Sequence, residues 1–227
     1  MVAGRRGKDV LQQLAEEIDG AFSLCDIAQR SDVVALSTAA RESLGGVDIA
    51  VNATGWGLLR SFLDTTVEDI DTMAAIQLRG PFVFFQEMVR AMTGGGSIIQ
   101  ISSVVATIMA NDHAIYMGTK AATDHIIRIV AHEFGDRGIR ANSISPGLTS
   151  TPMASGFMDA AACFLPHFPL GRIGSADDIA AAAVFLASDE CFMTGENLQV
   201  NGGFHLRRNP SREEMAAYGL NFSSMPK

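Results

Sequence analysis

Cysteine, tryptophan, tyrosine and lysine are all scarce in this 227-residue chain, which has three Cys, one Trp, two Tyr and three Lys. Cys25, Cys163 and Cys191 are odd in number, widely separated and without metal-binding spacing. That excludes a disulfide framework and favours a reducing compartment. Five histidines are scattered with no His-Glu-x-x-His or Cys-x-x-Cys companion, so no catalytic metal is expected. No apolar run approaches the ~18 residues of a membrane span, and the start lacks a signal-peptide core, so a cytoplasmic protein with no membrane partner is expected. Positive charge is also short: 17 Lys and Arg against 25 Asp and Glu give a net charge of −8. With no basic patch, nucleic acid is not an expected partner. A hydrophobic fraction of 48% and a charged fraction of 19% fit a well-buried enzyme-like globule, most simply one domain spanning 1–227.

What is present is concentrated between Ile98 and Lys120. Ser97 to Ile101 reads as a short buried strand, because a β-branched run lies between three glycines and a polar end. Tyr116 and Lys120 are four residues apart on the helix that follows, so both project from one face. An ammonium beside a phenol is expected to lower the phenol's pKa from its ordinary value of about 10, giving a proton donor usable near neutral pH. Ser103, delivered from the strand end, can donate a hydrogen bond to a carbonyl or alkoxide oxygen. The alternative is an accidental surface pair. With this few Tyr and Lys, the spacing arises by chance only roughly 0.03 times per chain of this length.

Around this centre the chain alternates helices and strands, the signature of a parallel sheet. Val10, Leu11, Leu14 and Ile18 mark one helix face, and Ala21 to Cys25 reads as a strand ending at Asp26-Ile27. A helix over about Arg30 to Leu44 leads to a strand over Asp48 to Asn52. A long apolar helix is expected from Val67 to Met92, with Val67, Ile70, Met73 and Phe82 to Phe85 available for burial. Ile139 to Ser145 reads as a further strand, Ser175-Ala-Asp-Asp178 as a capping box opening a helix, and Glu196 to Val200 as the last strand.

The serine followed by Tyr116-x-x-x-Lys120 resembles the short-chain dehydrogenase/reductase family. Further landmarks match in order: Asp26-Ile27, Asn52-Ala53-Thr54-Gly55, Pro146-Gly147 with Thr151, and Thr194-Gly195 leading to Asn201-Gly202-Gly203. The resemblance spans Val2 to about Phe204. It implies a Rossmann-like, doubly wound α/β fold with a mostly parallel sheet flanked by helices. It also implies an N-terminally incomplete one, because Val2-Ala3-Gly4 resembles the end of the family's second strand. No Gly-x-x-x-Gly-x-Gly turn appears near the start. On this reading residues 1–151 form a cofactor-side part lacking the first βα unit, 152–174 a substrate loop, and 204–227 a C-terminal extension.

The resemblance further implies a nicotinamide dinucleotide cofactor held by Asp26, Ile27, Asn52, Gly55, Tyr116, Lys120, Pro146, Gly147 and Thr151. Arg5 and Arg6 stand where relatives specific for NAD usually carry an acid, which favours NADP, with NAD as the alternative. Ser103, Tyr116 and Lys120 are the implied catalytic group. Gln77 falls where the family has an asparagine that holds a water beside the lysine; it either substitutes in that relay or merely satisfies backbone groups. Ala53 replaces the family's second asparagine, so a hydrogen bond tying adjacent strands is expected to be lost. The implied activity is interconversion of a secondary alcohol and a ketone. Met153, Phe157, Met158, Phe164, Leu165 and Phe168 favour an apolar small-molecule substrate, although such residues also suit core or subunit contacts. A homodimer or homotetramer is implied. The alternative reading is a non-catalytic or cofactor-deficient subunit of the same fold that acts through protein interaction.

Overall fold

A computed structural model describes residues 1–154 and 161–206. The chain alternates β1 (Val2–Gly4), α1 (Lys8–Glu17), β2 (Phe22–Leu24), α2 (Arg30–Leu44), β3 (Ile49–Asn52), α3 (Val67–Ala74), α4 (Gly80–Ala91), β4 (Gly96–Ile101), α5 (Ala114–Phe134), β5 (Ile139–Pro146), α6 (Ala176–Ala187) and β6 (Asn197–Val200). All strand pairings are parallel, in two groups: β1 with β2, and the order β3-β4-β5-β6. Helices flank the strands, giving the expected Rossmann-like α/β arrangement.

The central strands are buried on both faces, and their sequences show it. Ile98 and Ile99 of β4 and Ala141 and Ile144 of β5 are fully enclosed. One core layer joins Val33, Phe84, Phe85, Met88, Ile98, and Ile127 of α2, α4, β4 and α5. The other joins Ile99, Ile144, Leu186 and Cys191 beneath α6. Ser97 and Arg140 tie α6 down through the carbonyl oxygen of Leu186, at 2.8 and 2.7 Å. Ser175 and Asp178 form the expected capping box at the start of α6.

Two expectations change, at the helix expected over 67–92 and at the strand tie expected to be lost at Ala53. The segment 67–92 is not one continuous α-helix: residues Ala75–Arg79 form a π-helical turn between α3 and α4, and Pro81 sits in the first turn of α4. Phe84, Phe85 and Met73 are buried as expected, but Val67, Ile70 and Phe82 are exposed. Likewise the apolar stripe on α1 is mostly outward: Val10, Leu14 and Ile18 are exposed and only Ala15 is fully buried. The strand tie expected to be lost at Ala53 is present through another pair, because Asn52 Nδ2 donates to Gln100 Oε1 at 2.8 Å between β3 and β4.

Between β1 and β3, the facing strands of the two groups, lies a cavity of about 850 Å³. Its walls include Ala3 and Gly4 of β1, Ile49 to Asn52 of β3, and Leu36, Ala40, Phe84 and Met88 of the helices beneath.

Candidate active site

The C-terminal ends of β3, β4 and β5 converge on one region, the position where open parallel sheets place their ligands. Ser103 leaves β4 in an extended conformation and caps a 3-10 turn over Val104–Ala106, its Oγ accepting from Val105 N. The Tyr116 hydroxyl is hydrogen-bonded with Ser103. Tyr116 is held partly buried in the first turn of α5, with the His113 ring against its edge at 6.2 Å.

One turn further, Lys120 is 4% exposed and its Nζ donates to the carbonyl oxygen of Ile101 at 2.8 Å. The same Nζ lies 5.8 Å from the Tyr116 ring centroid. Serine, tyrosine and lysine are therefore brought together as the sequence implied.

Electrostatics differ from expectation in one respect. Burial raises the Tyr116 phenol above its ordinary pKa, and only the Ser103 hydrogen bond acts against it. The lysine carries the useful shift: burial lowers Lys120 to about 8, against the attraction of Asp124. In the protein as described, proximity to Lys120 does not outweigh the desolvation of Tyr116.

Gln77 sits at the centre of the π-helical turn, 2% exposed. Its Nε2 donates to Trp56 O at 3.0 Å and lies against Met73 Sδ, while its Oε1 is buried without a hydrogen-bond partner. A Cβ at Gly55 would lie 3.4 Å from that Oε1 and 3.8 Å from Lys120 Nζ. Gln77, Gly55 and Lys120 thus border one small space. A π-helical turn inserts one extra residue and reorients the side chain it carries; no sequence signal announced it.

Sequence reasoning named Asn52 but missed two supporting groups, Gln100 and Asp124. Asn52 is buried, and its Oδ1 accepts from Thr54 N at 3.1 Å and from Thr54 Oγ1 at 2.7 Å. Gln100, bonded to Asn52, also donates to Ile101 O at 2.7 Å, the carbonyl that Lys120 uses. Asp124, one turn beyond Lys120, accepts from Ser102 Oγ at 2.8 Å and from Asn197 Nδ2 at 2.5 Å. Its carboxyl is raised by burial, opposed by Ser143, Ser102, Asn197 and Lys120. The i, i+4 spacing from Lys120 was the available signal for Asp124.

Six of the other candidates line the cavity, and Pro146, Gly147 and Thr151 are not among its walls. Arg5, Arg6, Asp26 and Ile27 line it beside Asn52 and Gly55. Asp26 Oδ1 accepts from Ala28 N at 3.0 Å, and its Oδ2 lies 3.8 Å from Arg5 Nη1. Both arginines are exposed. Pro146 ends β5, and Gly147 follows in contact too close for any side chain to enter freely: a Cβ there would meet Asn201 Cβ and the Phe168 ring at 3.1 Å. The Thr151 hydroxyl donates to Thr149 O at 3.5 Å. Of the apolar loop residues, Met153 lines the cavity, whereas Phe168 is buried and stacked on Phe204 at 4.6 Å. Phe157, Met158 and most of 204–227 lie outside the described residues.

A nicotinamide dinucleotide fits the residues present at both ends. The unpartnered Gln77 Oε1 borders one space with Gly55 and Lys120, and Asp26, Ile27 and the two arginines line the cavity, donor and charge types that suit such a group.

Comparison with known proteins agrees with this geometry. A family model described as enoyl-(acyl carrier protein) reductase matches residues 1–205. D-threitol dehydrogenase of Mycolicibacterium smegmatis is 34% identical over 188 residues, covering 81% of this chain and 72% of its own. 3beta-hydroxysteroid dehydrogenase 1 of Eggerthella lenta is 36% identical over 202 residues, covering 84% and 77%. The solved structure of a short-chain type dehydrogenase/reductase from Mycobacterium ulcerans superposes with a TM-score of 0.86 at 26% identity, over 98% of this chain and 86% of its own. The chain is a short-chain dehydrogenase/reductase, a member of that family of oxidoreductases.

Proposed function

We propose that the protein interconverts a secondary alcohol and a ketone, with Tyr116 as the group that exchanges the proton at the substrate oxygen. The observation carrying this reading is the convergence of Ser103, Tyr116 and buried Lys120, with a hydrogen bond joining the first two. Ser103 holds the substrate oxygen by donating its hydroxyl proton as a hydrogen bond, which strengthens as negative charge develops there. Tyr116 gives its proton to that oxygen in the reductive direction and accepts it in the oxidative one. Lys120, charged at neutral pH, favours the phenolate that forms. Gln77 Oε1, unpartnered beside Lys120, would accept a hydrogen bond from a water there and so support proton exchange. Asp26 and Ile27 hold the adenine end, Asn52 and Gly55 shape the middle, Lys120 reaches the nicotinamide ribose, and Pro146, Gly147 and Thr151 border the nicotinamide. When bound, the dinucleotide supplies or accepts the hydride.

Arg5 and Arg6 at the cavity rim favour NADP over NAD, because guanidinium groups pair with a ribose phosphate. Met153 at the same cavity favours an apolar alcohol, and one relative is named for a hydroxysteroid. We read the protein as a cytoplasmic homodimer or homotetramer of one domain, with 152–174 acting as substrate loop. Titration with NADPH and NADH, followed by nucleotide fluorescence, tests the cofactor reading. Saturable binding, tighter for NADPH and weakened in Arg5→Glu/Arg6→Glu, is expected. Absence of binding by folded protein overturns it.

A further inference from the structure

One buried carboxylate is unused by the proton exchange at Tyr116. Asp124, one turn beyond Lys120 on α5, is 8% exposed. Its Oδ2 accepts from Ser102 Oγ at 2.8 Å and from Asn197 Nδ2 at 2.5 Å. From Asn197 a chain of amides runs along β6 and just past its end, at every second residue and so on one face. Gln199 Nε2 donates to Asn197 Oδ1 at 3.0 Å, and Asn201 Nδ2 donates to Gln199 Oε1 at 2.9 Å. The chain closes on the His205 ring, whose Nδ1 meets Asn201 Oδ1 at 2.8 Å and is therefore the donor. Every hydrogen bond from His205 inward points the same way, with its donor aimed toward Asp124.

That direction suits a carboxylate better than a neutral acid, because aligned hydrogen bonds polarise one another and are strongest when they end on a charge. Two donors on one oxygen still leave most of a buried charge uncompensated. Asp124 Oδ1 is buried with no hydrogen-bond partner, as is Ser143 Oγ. A buried carboxylate so placed calls for a cation nearby. Lys120 is that cation. Its Nζ donates to Ile101 O, one residue before the Ser102 that binds Asp124. Each charge favours the other: Asp124 raises the lysine's pKa and Lys120 lowers the carboxyl's, both against the larger effect of burial. Other charges on the packed elements are engaged elsewhere. Asp69 of α3 pairs with Arg60 and Glu87 of α4 with Arg90, while Arg79 reaches Ala28 O, Arg137 reaches Val89 O and Arg140 reaches Leu186 O. Glu68, Asp71, His125, Arg128 and Glu196 are exposed. Tyr116 is the remaining titratable neighbour of Lys120.

We infer that Asp124 is a positioning residue for Lys120: a buried carboxylate, oriented by the amide chain of β6, whose charge keeps the ammonium charged beside Tyr116. Its part in turnover rests on the proton-exchange reading of Tyr116, whereas its part in the charge of Lys120 does not. The purely structural alternative makes Asp124 a tie between α5, β4 and β6. A neutral amide of the same shape would serve a tie and would fail as a counter-charge, so asparagine separates the two.

The chain has three lysines, Lys8, Lys120 and Lys227, so each can be followed separately by NMR in protein carrying 13C-labelled lysine, titrated from pH 6 to 10. Lys120 should titrate near pH 8 in the parent. In Asp124→Asn its midpoint should fall by at least about one pH unit, with Lys8 and Lys227 unmoved. Asn197→Leu removes one donor from the carboxylate and should move the midpoint the same way by less. With a ketone that the parent reduces, the alkaline limb of kcat should move down together with the midpoint in Asp124→Asn, because Lys120 must carry its charge, while KM changes little. A Lys120 midpoint that stays at the parental pH in Asp124→Asn overturns the inference, whatever happens to stability. Should that variant not fold, Asn197→Leu decides by the same measure. A parent that reduces no ketone overturns the proton-exchange reading instead, and the NMR comparison still decides the role of Asp124.

Discussion

Replacing Lys120 by Met separates what the site costs the fold from what it contributes to chemistry. Burial holds the ammonium at a pKa of about 8 against an ordinary 10.5. That difference corresponds to about 3 kcal/mol of destabilisation at neutral pH, each pKa unit being about 1.4 kcal/mol. The hydrogen bond from Nζ to Ile101 O returns roughly 1.5–3 kcal/mol. Ile101 O keeps its bond from Gln100 Nε2 when the lysine is removed, so no carbonyl is orphaned. Lys120→Met should therefore be as stable as the parent, or more stable, at pH 7, while losing most activity. The pH dependence carries the sharper signature. Between pH 8 and 10 the unfolded lysine is protonated and the folded one is not, so the parent gains stability relative to the variant as pH rises, by about 2 kcal/mol over the window. Cys25, raised to about 11, pulls both proteins the opposite way above pH 9 and cancels in the difference. Urea unfolding of both proteins at pH 7, 8, 9 and 10, followed by far-ultraviolet circular dichroism, measures it. A difference that does not change with pH, or a variant several kcal/mol less stable at pH 7, would refute the reasoning.

Further outcomes follow from single contacts. Ser103→Ala removes the donor bonded with Tyr116 and should lower kcat roughly 100-fold or more with little change in nucleotide affinity, read from steady-state rates and fluorescence titration. Gly147→Ala places a Cβ 3.1 Å from both Asn201 and Phe168 and should cost about 1–3 kcal/mol in urea unfolding. Ser175→Ala removes the hydroxyl that accepts from Asp178 N at the start of α6 and should cost about 1 kcal/mol in the same assay.

The strand–helix alternation and the tyrosine–lysine pair were legible because both rest on short-range spacing. Burial of β4 and β5 is written in their β-branched runs, and Ser175 with Asp178 declares the start of α6 by local chemistry alone. What escaped depends on tertiary placement. The π-helical turn that sinks Gln77 beside Lys120 leaves no periodicity to read, since one inserted residue changes a face without changing composition. Gln100 is one polar residue in an apolar strand, and only the fold shows that it links Asn52 to the carbonyl under Lys120. The outward stripe of α1 makes a related point: amphipathic spacing finds an apolar face but not whether anything covers it. The phenol pKa differs in direction, because burial raises it and only the Ser103 hydrogen bond acts against that.

The central claim is that Tyr116 exchanges the proton with the substrate oxygen in a nicotinamide-dependent reaction. The most direct measurement compares the parent with Tyr116→Phe in the presence of NADP and a panel of apolar secondary alcohols, following both nucleotide binding and appearance of reduced nucleotide. The account predicts equal binding, turnover by the parent, and a rate at least about 100-fold lower in the variant. A Tyr116→Phe protein that turns over at the parental rate would contradict it.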